Sequence, residues 1–194
     1  MRSPHRDAGI TFVELLVVVA SLVIVIGAVD LTWIIGGRMY LSSESYVHVQ
    51  QQARNAFQNM TRELRQAGGT ITTGASQCTF QMALGYNLPA PCPASAVCFG
   101  AADQGGVAQA GWSIRYRLVG TLLTRDILDQ SGAPQLGTRI LAHDVTLLSF
   151  TYVGAPTKMI TMQLQVQESS SQLPGGAMKA APASLISMVK LRNP

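Results

Sequence analysis

Charge is scarce in this sequence. Asp, Glu, Lys and Arg together make up 12% of its 194 residues, too few for extensive surface ion pairing. Apolar residues make up 47%, and that balance excludes a disordered chain, which is apolar-poor and charge-rich. The formal net charge is +4, but the basic residues are scattered, whereas nucleic-acid binders gather theirs into a stripe. A nucleic-acid partner is not expected. Catalytic signatures are missing too: no GxSxG, HExxH, P-loop or Rossmann fingerprint occurs.

The remaining polar candidates are weak. His143 and Asp144 are adjacent, so on a strand they would point to opposite faces and fail to converge; a turn carrying two polar residues is the expectation. Asp126 and Asp129, near Gly132, lack the dense acidic spacing of a calcium loop and are expected to be solvated turn residues. Arg115 and Arg117 share one strand face, expected to be an exposed surface rather than a phosphate site. No enzyme activity, cofactor, metal or small-molecule substrate is expected.

Cysteine is limited to Cys78, Cys92 and Cys98. They lie in one Pro/Ala-rich stretch with no CxxC pair and no nearby histidine, which favours a structural staple over zinc. An exported chain meets an oxidising compartment. One disulfide is expected, joining Cys98 to either Cys92 or Cys78, with one thiol left over.

What the sequence has in excess is an apolar run at its beginning. After a short basic leader, Met1 to Gly9, the segment from Ile10 to Val29 is apolar except for Glu14 and the hydroxyls of Thr11 and Ser21. Phe12, Leu15, Leu16 and Val29 belong to the same apolar surface. At ~1.5 Å per residue this run makes a helix of about 30 Å, the thickness of a bilayer core. Basic residues before the span and few after it predict the leader on the cytoplasmic side and the rest outside. A secretory signal would have a shorter apolar core followed by a small-residue cleavage site. A charge at a membrane-helix centre costs about 2.5–3.5 kcal/mol on insertion scales, so Glu14 calls for a reason.

Gly27 within the span and Gly36-Gly37 beyond it are weak points in the helix, each costing roughly 1 kcal/mol relative to Ala. Tyr46, Val49, Ala53, Ala56/Phe57, Met60, Leu64 and Ala67 then recur at three- and four-residue spacing, one face of an amphipathic helix. Arg54, Arg62, Glu63 and Arg65 fall away from its central line, and Gly68-Gly69 ends it. Strands are expected from Trp112 to Leu118, with Trp112, Ile114, Tyr116 and Leu118 on one face, and from Thr121 to Ile127 after a turn at Gly120. Further strands are expected over Gln135–Ala142, Val145–Val153, Met159–Gln167 and Leu185–Leu191. A Ser/Gly-rich loop from Glu168 to Pro182 joins the last two. The fold class is α+β, a long amino-terminal helix packed on an antiparallel sheet.

The segment Gly9-Ile10-Thr11-Phe12-Val13-Glu14 resembles the class III signal of type IV pilins and type II secretion pseudopilins. The resemblance implies cutting by a prepilin peptidase between Gly9 and Ile10, N-methylation of Ile10, and Glu14 as the assembly carboxylate that pairs with a neighbour's amino terminus. The position after the cut, usually Phe or Met in that family, is Ile10 here. The run Ala53–Gly68, the run Ile140–Tyr152 and the ending Val189–Pro194 are similar to PilW-like minor pilins and GspJ-like minor pseudopilins. No proline occurs between Ile10 and Ala67, where major pilins often carry one.

On that resemblance the chain divides into a removed leader (1–9), a transmembrane and filament-core helix (10–37), an amphipathic helix of the head (38–69) and a β-rich periplasmic head (70–194). It implies a pilin-like fold in the bacterial inner membrane, single-pass, then at the tip of a filament. Other minor subunits, the major subunit and prepilin peptidase are the implied partners, and priming of pilus or pseudopilus assembly is the implied function. The alternatives are a signal-anchored periplasmic enzyme and a DNA-uptake pilin subunit.

Overall fold

The computed structural model describes residues 11–167, 169–170, 178–179 and 182–192. The expected cleavage pair, Gly9 and Ile10, lies outside the described residues, as does most of the expected 168–182 loop. Two compact units divide the chain, Met1–Ser43 and Glu44–Pro194. A single helix, α1 (Phe12–Arg65), is followed by antiparallel strands.

In the first unit, Thr11 starts α1. Its Oγ1 accepts the Glu14 backbone N–H at 3.3 Å, satisfying one of the donors that every helix start leaves open. Phe12–Gly37 is the one helical segment among the described residues that is long and apolar enough to cross a membrane, with a mean hydropathy of 2.9 and none of it buried. Gly27, Gly36 and Gly37 do not interrupt it.

In the second unit, the apolar stripe of α1 is the cover of a β core. Val49, Ala53, Ala56, Met60 and Leu64 are all buried. Tyr46, expected in the same stripe, stays exposed. The helix ends at Arg65, and Ala67 already belongs to the first strand.

The strands are β1 (Ala67–Gly74), β2 (Gln77–Tyr86), β3 (Val97–Ala102), β4 (Ala108–Ala110), β5 (Ser113–Val119), β6 (Leu122–Leu128), β7 (Arg139–Ala142), β8 (Val145–Val153), β9 (Met159–Val166), β10 (Ser169–Ser170), β11 (Met178–Lys179) and β12 (Ala183–Lys190). They form two main sheets, where one was expected. The larger runs β4-β3-β2-β5-β6-β7, with β1 also on β2; the smaller runs β12-β9-β8. β10 and β11 pair with each other inside the stretch expected to be a loop.

Alternation sets which side chains enter the core. Ile160, Met162, Leu164 and Val166 of β9 are buried, and so are Ile114 and Tyr116 of β5. These pack with Phe80, Leu123 and Leu148 beneath the helical stripe. Gly120 turns β5 into β6 with φ +62°, a conformation that costs glycine least. The expected Gln135–Ala142 strand shrinks to Arg139–Ala142. Gly137, at φ +116°, breaks the extended run before it.

Cys92 and Cys98 form the disulfide, and Cys78 is a free thiol buried on β2. Burial pushes the Cys78 thiol up to about 12, which keeps it protonated and unreactive. The non-reduced native chain should therefore show no titratable thiol to an aromatic disulfide reagent at neutral pH, and denaturation without reductant should release Cys78 alone. A rapid native reaction would contradict this burial.

Candidate functional site

Two groups of residues stand out, one in each unit. In the first, Glu14 occupies the opening turn of an exposed apolar helix. The Thr11 hydroxyl lies 3.5 Å from Glu14 Oε2, while the Glu14 amide points back to Thr11 Oγ1. Thr-x-x-Glu is capping-box spacing, a signal that sequence reading passed over by treating Thr11 only as a mild hydroxyl. No cationic side chain pairs with Glu14 among the described residues. Phe12, Leu15 and Leu16 beside it, and Val29 about four turns further along the helix, are all more than half exposed.

The hydroxyls of this apolar helix bond to its own backbone, whereas Asp30, the second carboxylate within Phe12–Gly37, has no such bond among the described residues. Ser21 Oγ donates to the Val18 carbonyl at 2.8 Å, and Thr32 Oγ1 donates to the Ala28 carbonyl at 2.8 Å. Such local bonds make hydroxyls tolerable in lipid. Ala28, Thr32 and Gly36 fall at four-residue spacing and form a small-residue face, with Ile24, Val25, Trp33 and Tyr40 lining the same shallow apolar groove.

In the second unit, charge is drawn inward. Tyr116 on β5 and Arg125 on β6 are register partners, and both reach Glu63 of α1. Tyr116 Oη donates to Glu63 Oε2 at 2.5 Å, and Arg125 Nε donates to Oε2 at 3.0 Å. Burial, reinforced by the Glu63 carboxylate, lifts Tyr116 well above its ordinary value, so it remains a donor. For Arg125, burial pulls downward, but the bond and charge of Glu63 overcome it and the net shift is up.

The opposite face of the same strand pair carries a second cluster. Asp126 is fully buried. Its Oδ2 accepts from Arg115 Nη2 at 2.9 Å and lies 2.7 Å from Arg117 Nε. Its Oδ1 accepts from Thr138 Oγ1 at 3.0 Å. Two expectations are thereby corrected. Asp126 is a strand residue buried under two guanidiniums, not a solvated turn residue, and Arg115 and Arg117 are its partners rather than a free surface.

Asp129 does sit in a turn. Its Oδ1 accepts the Ser131 hydroxyl at 2.6 Å and the Ala133 amide at 3.0 Å, which holds its carboxyl below the usual range. Asp144, at φ +54°, lies in the turn between β7 and β8, as expected for the His143-Asp144 pair. Both line a small cavity of about 300 Å³ together with His48, Gln52, Thr121 and Leu122. Among the described residues no trio of His, Cys, Asp or Glu is arranged to hold a metal ion.

Comparison of the chain with protein-family models, with curated proteins and with solved structures found no match. Function therefore rests on the residues themselves. The carboxylates of Glu63 and Asp126 have internal partners and act as fasteners. Among the described residues, Glu14 has a hydroxyl and its own helix for company.

Replacing Glu63 by Ala strips Arg125 and Tyr116 of their acceptor. It should lower the unfolding free energy of the full chain in detergent by ~1–3 kcal/mol, read from chemical denaturation. Arg54→Ala, on the exposed side of the same helix, should change it by less than ~0.5 kcal/mol. Equal effects at the two positions would contradict the fastening role.

Proposed function

We propose that the chain is a non-catalytic minor pilin or pseudopilin. It is held in the inner membrane by residues 10–37, with a pilin-like periplasmic head, until it joins a low-copy complex at a filament tip. There it primes assembly of a type IV pilus or a type II secretion pseudopilus, together with other minor subunits and the major subunit. Prepilin peptidase removes residues 1–9 by cutting between Gly9 and Ile10, and the new amino terminus at Ile10 is methylated.

The observation that carries this reading is the carboxylate of Glu14 in the first turn of an exposed apolar helix, without a cationic partner among the described residues. In lipid that group is costly, and among the described residues Thr11 alone bonds its side chain. A neighbouring subunit's positive amino terminus supplies the missing charge, and a charge-assisted bond in a low-dielectric setting fixes the register between the two helices. The small-residue face at Ala28, Thr32 and Gly36 supports the same reading, since such faces let membrane helices approach closely.

Glu14→Ala should leave membrane insertion intact, because it makes the span more apolar. It should reduce the share of the chain that co-purifies with sheared filaments or co-assembling subunits by about tenfold, the equivalent of one charge-assisted hydrogen bond. Quantitative immunoblotting of membrane and filament fractions measures both. Undiminished incorporation of the mutant would count against the role given to Glu14.

A further inference from the structure

We propose that the groove between the last turns of α1 and the edge strand β12 binds an extended, acidic segment of a partner protein, held by Arg62, Arg65 and Arg192. The groove encloses about 490 Å³, and Phe57, Thr61, the three arginines and Ser187 line it. The proposal does not depend on filament assembly, since it rests on residues of the second unit alone.

The strand is open to addition. Among the described residues β12 ends the β12-β9-β8 sheet and pairs with β9 alone. Among the described residues, no residue of β12 makes a backbone hydrogen bond outside that pairing. An edge of this kind presents alternate N–H and C=O groups to any extended chain that arrives. Ser187 occupies an inward-facing position where its neighbours are the apolar Leu185 and Val189, and so leaves room against Phe57. On the outward face Ile186 is 63% and Met188 66% exposed, an apolar contact for the alternate side chains of an added strand.

Charge identifies the occupant. The Arg192 amide donates to the Arg65 carbonyl at 3.1 Å, which fixes the chain after β12 against the helix end. Arg62, Arg65 and Arg192 are all exposed, and among the described residues none has an ion-pair partner. Arg62 and Arg65 have a local reason to be there, because cations complement the negative end of a helix. Arg192 lies at the same helix end, and gathering three guanidiniums at one groove is unfavourable unless an anion follows. Carboxylates match guanidinium geometry in a paired fashion. Nucleic acid fits less well, because it is tracked by a longer basic stripe that neutralises many phosphates.

Fluorescence anisotropy of a labelled peptide alternating glutamate and valine, titrated with the full chain in non-ionic detergent, tests the proposal. Binding is expected, weakened about tenfold or more in R62E, R65E or R192E and in the glutamine version of the peptide, as loss of a charge-assisted contact requires. Methylating alternate backbone nitrogens of the peptide should abolish binding. R192Q, a milder change at an exposed position, should weaken it without altering thermal unfolding. Absence of binding, binding indifferent to the arginines, or binding that survives backbone methylation would overturn the proposal. So would tighter arginine-dependent binding of duplex DNA or of anionic lipid vesicles than of the peptide.

Discussion

The second unit depends on one seam, where Val49, Ala53, Ala56, Met60 and Leu64 of the helix lie against the inward side chains of both sheets. Neither sheet can bury that face by itself, and each fully buried Leu, Met or Val contributes ~1.5–3 kcal/mol when removed from water. The alanines matter by being small, since they let the helix backbone come close enough for Phe80, Ile114 and Leu164 to fill the space. At the end of this seam Glu63 reaches Tyr116 and Arg125, and its bonds tie the helix to β5 and β6. Apolar burial supplies the energy of the seam, and the carboxylate fixes its register.

The same helix solves a different problem in the first unit. Residues 12–37 are apolar apart from Glu14, Asp30 and the hydroxyls of Ser21 and Thr32, and none of the segment is buried. A surface of that kind is stable only with lipid or other helices around it. Ser21 and Thr32 return their hydroxyls to their own backbone, and Glu14 leans on Thr11. The contrast with Glu63 is instructive: both are helical glutamates, but one has its partners built into the fold and the other lacks a cation among the described residues.

Much of this was legible in the sequence. The three- and four-residue spacing from Val49 to Leu64 is deep, and strict alternation over Met159–Val166 and Ser113–Val119 marks strands with one buried face. β1 and β3 were not legible as strands. β1 is a Thr- and Gly-rich run with a bulge between Gly68 and Ile71, and β3 is short and rich in small residues. β2 does alternate, with Cys78, Phe80, Met82 and Leu84 against Gln77, Thr79, Gln81 and Ala83, so its signal was present and passed over. Asp126 escaped for another reason. It alternates onto the polar face with Thr124, opposite Arg115 and Arg117, and a polar face is ordinarily solvated. Its burial arises from cross-strand register and from Thr138, which no local pattern encodes.

The β-rich unit pairs its inward-turned charges internally, Glu63 with Arg125 and Asp126 with Arg115 and Arg117, while Glu14 opens an apolar helix long enough to cross a membrane. The proposed role of Glu14 requires that the segment before Ile10 be a leader, removed so that a free amino terminus comes to lie next to a Glu14. The intact mass of the protein extracted from membranes tests this most directly. The account predicts the mass of the chain beginning at Ile10, with one added methyl group. A chain that still carries Met1 to Gly9 would contradict it.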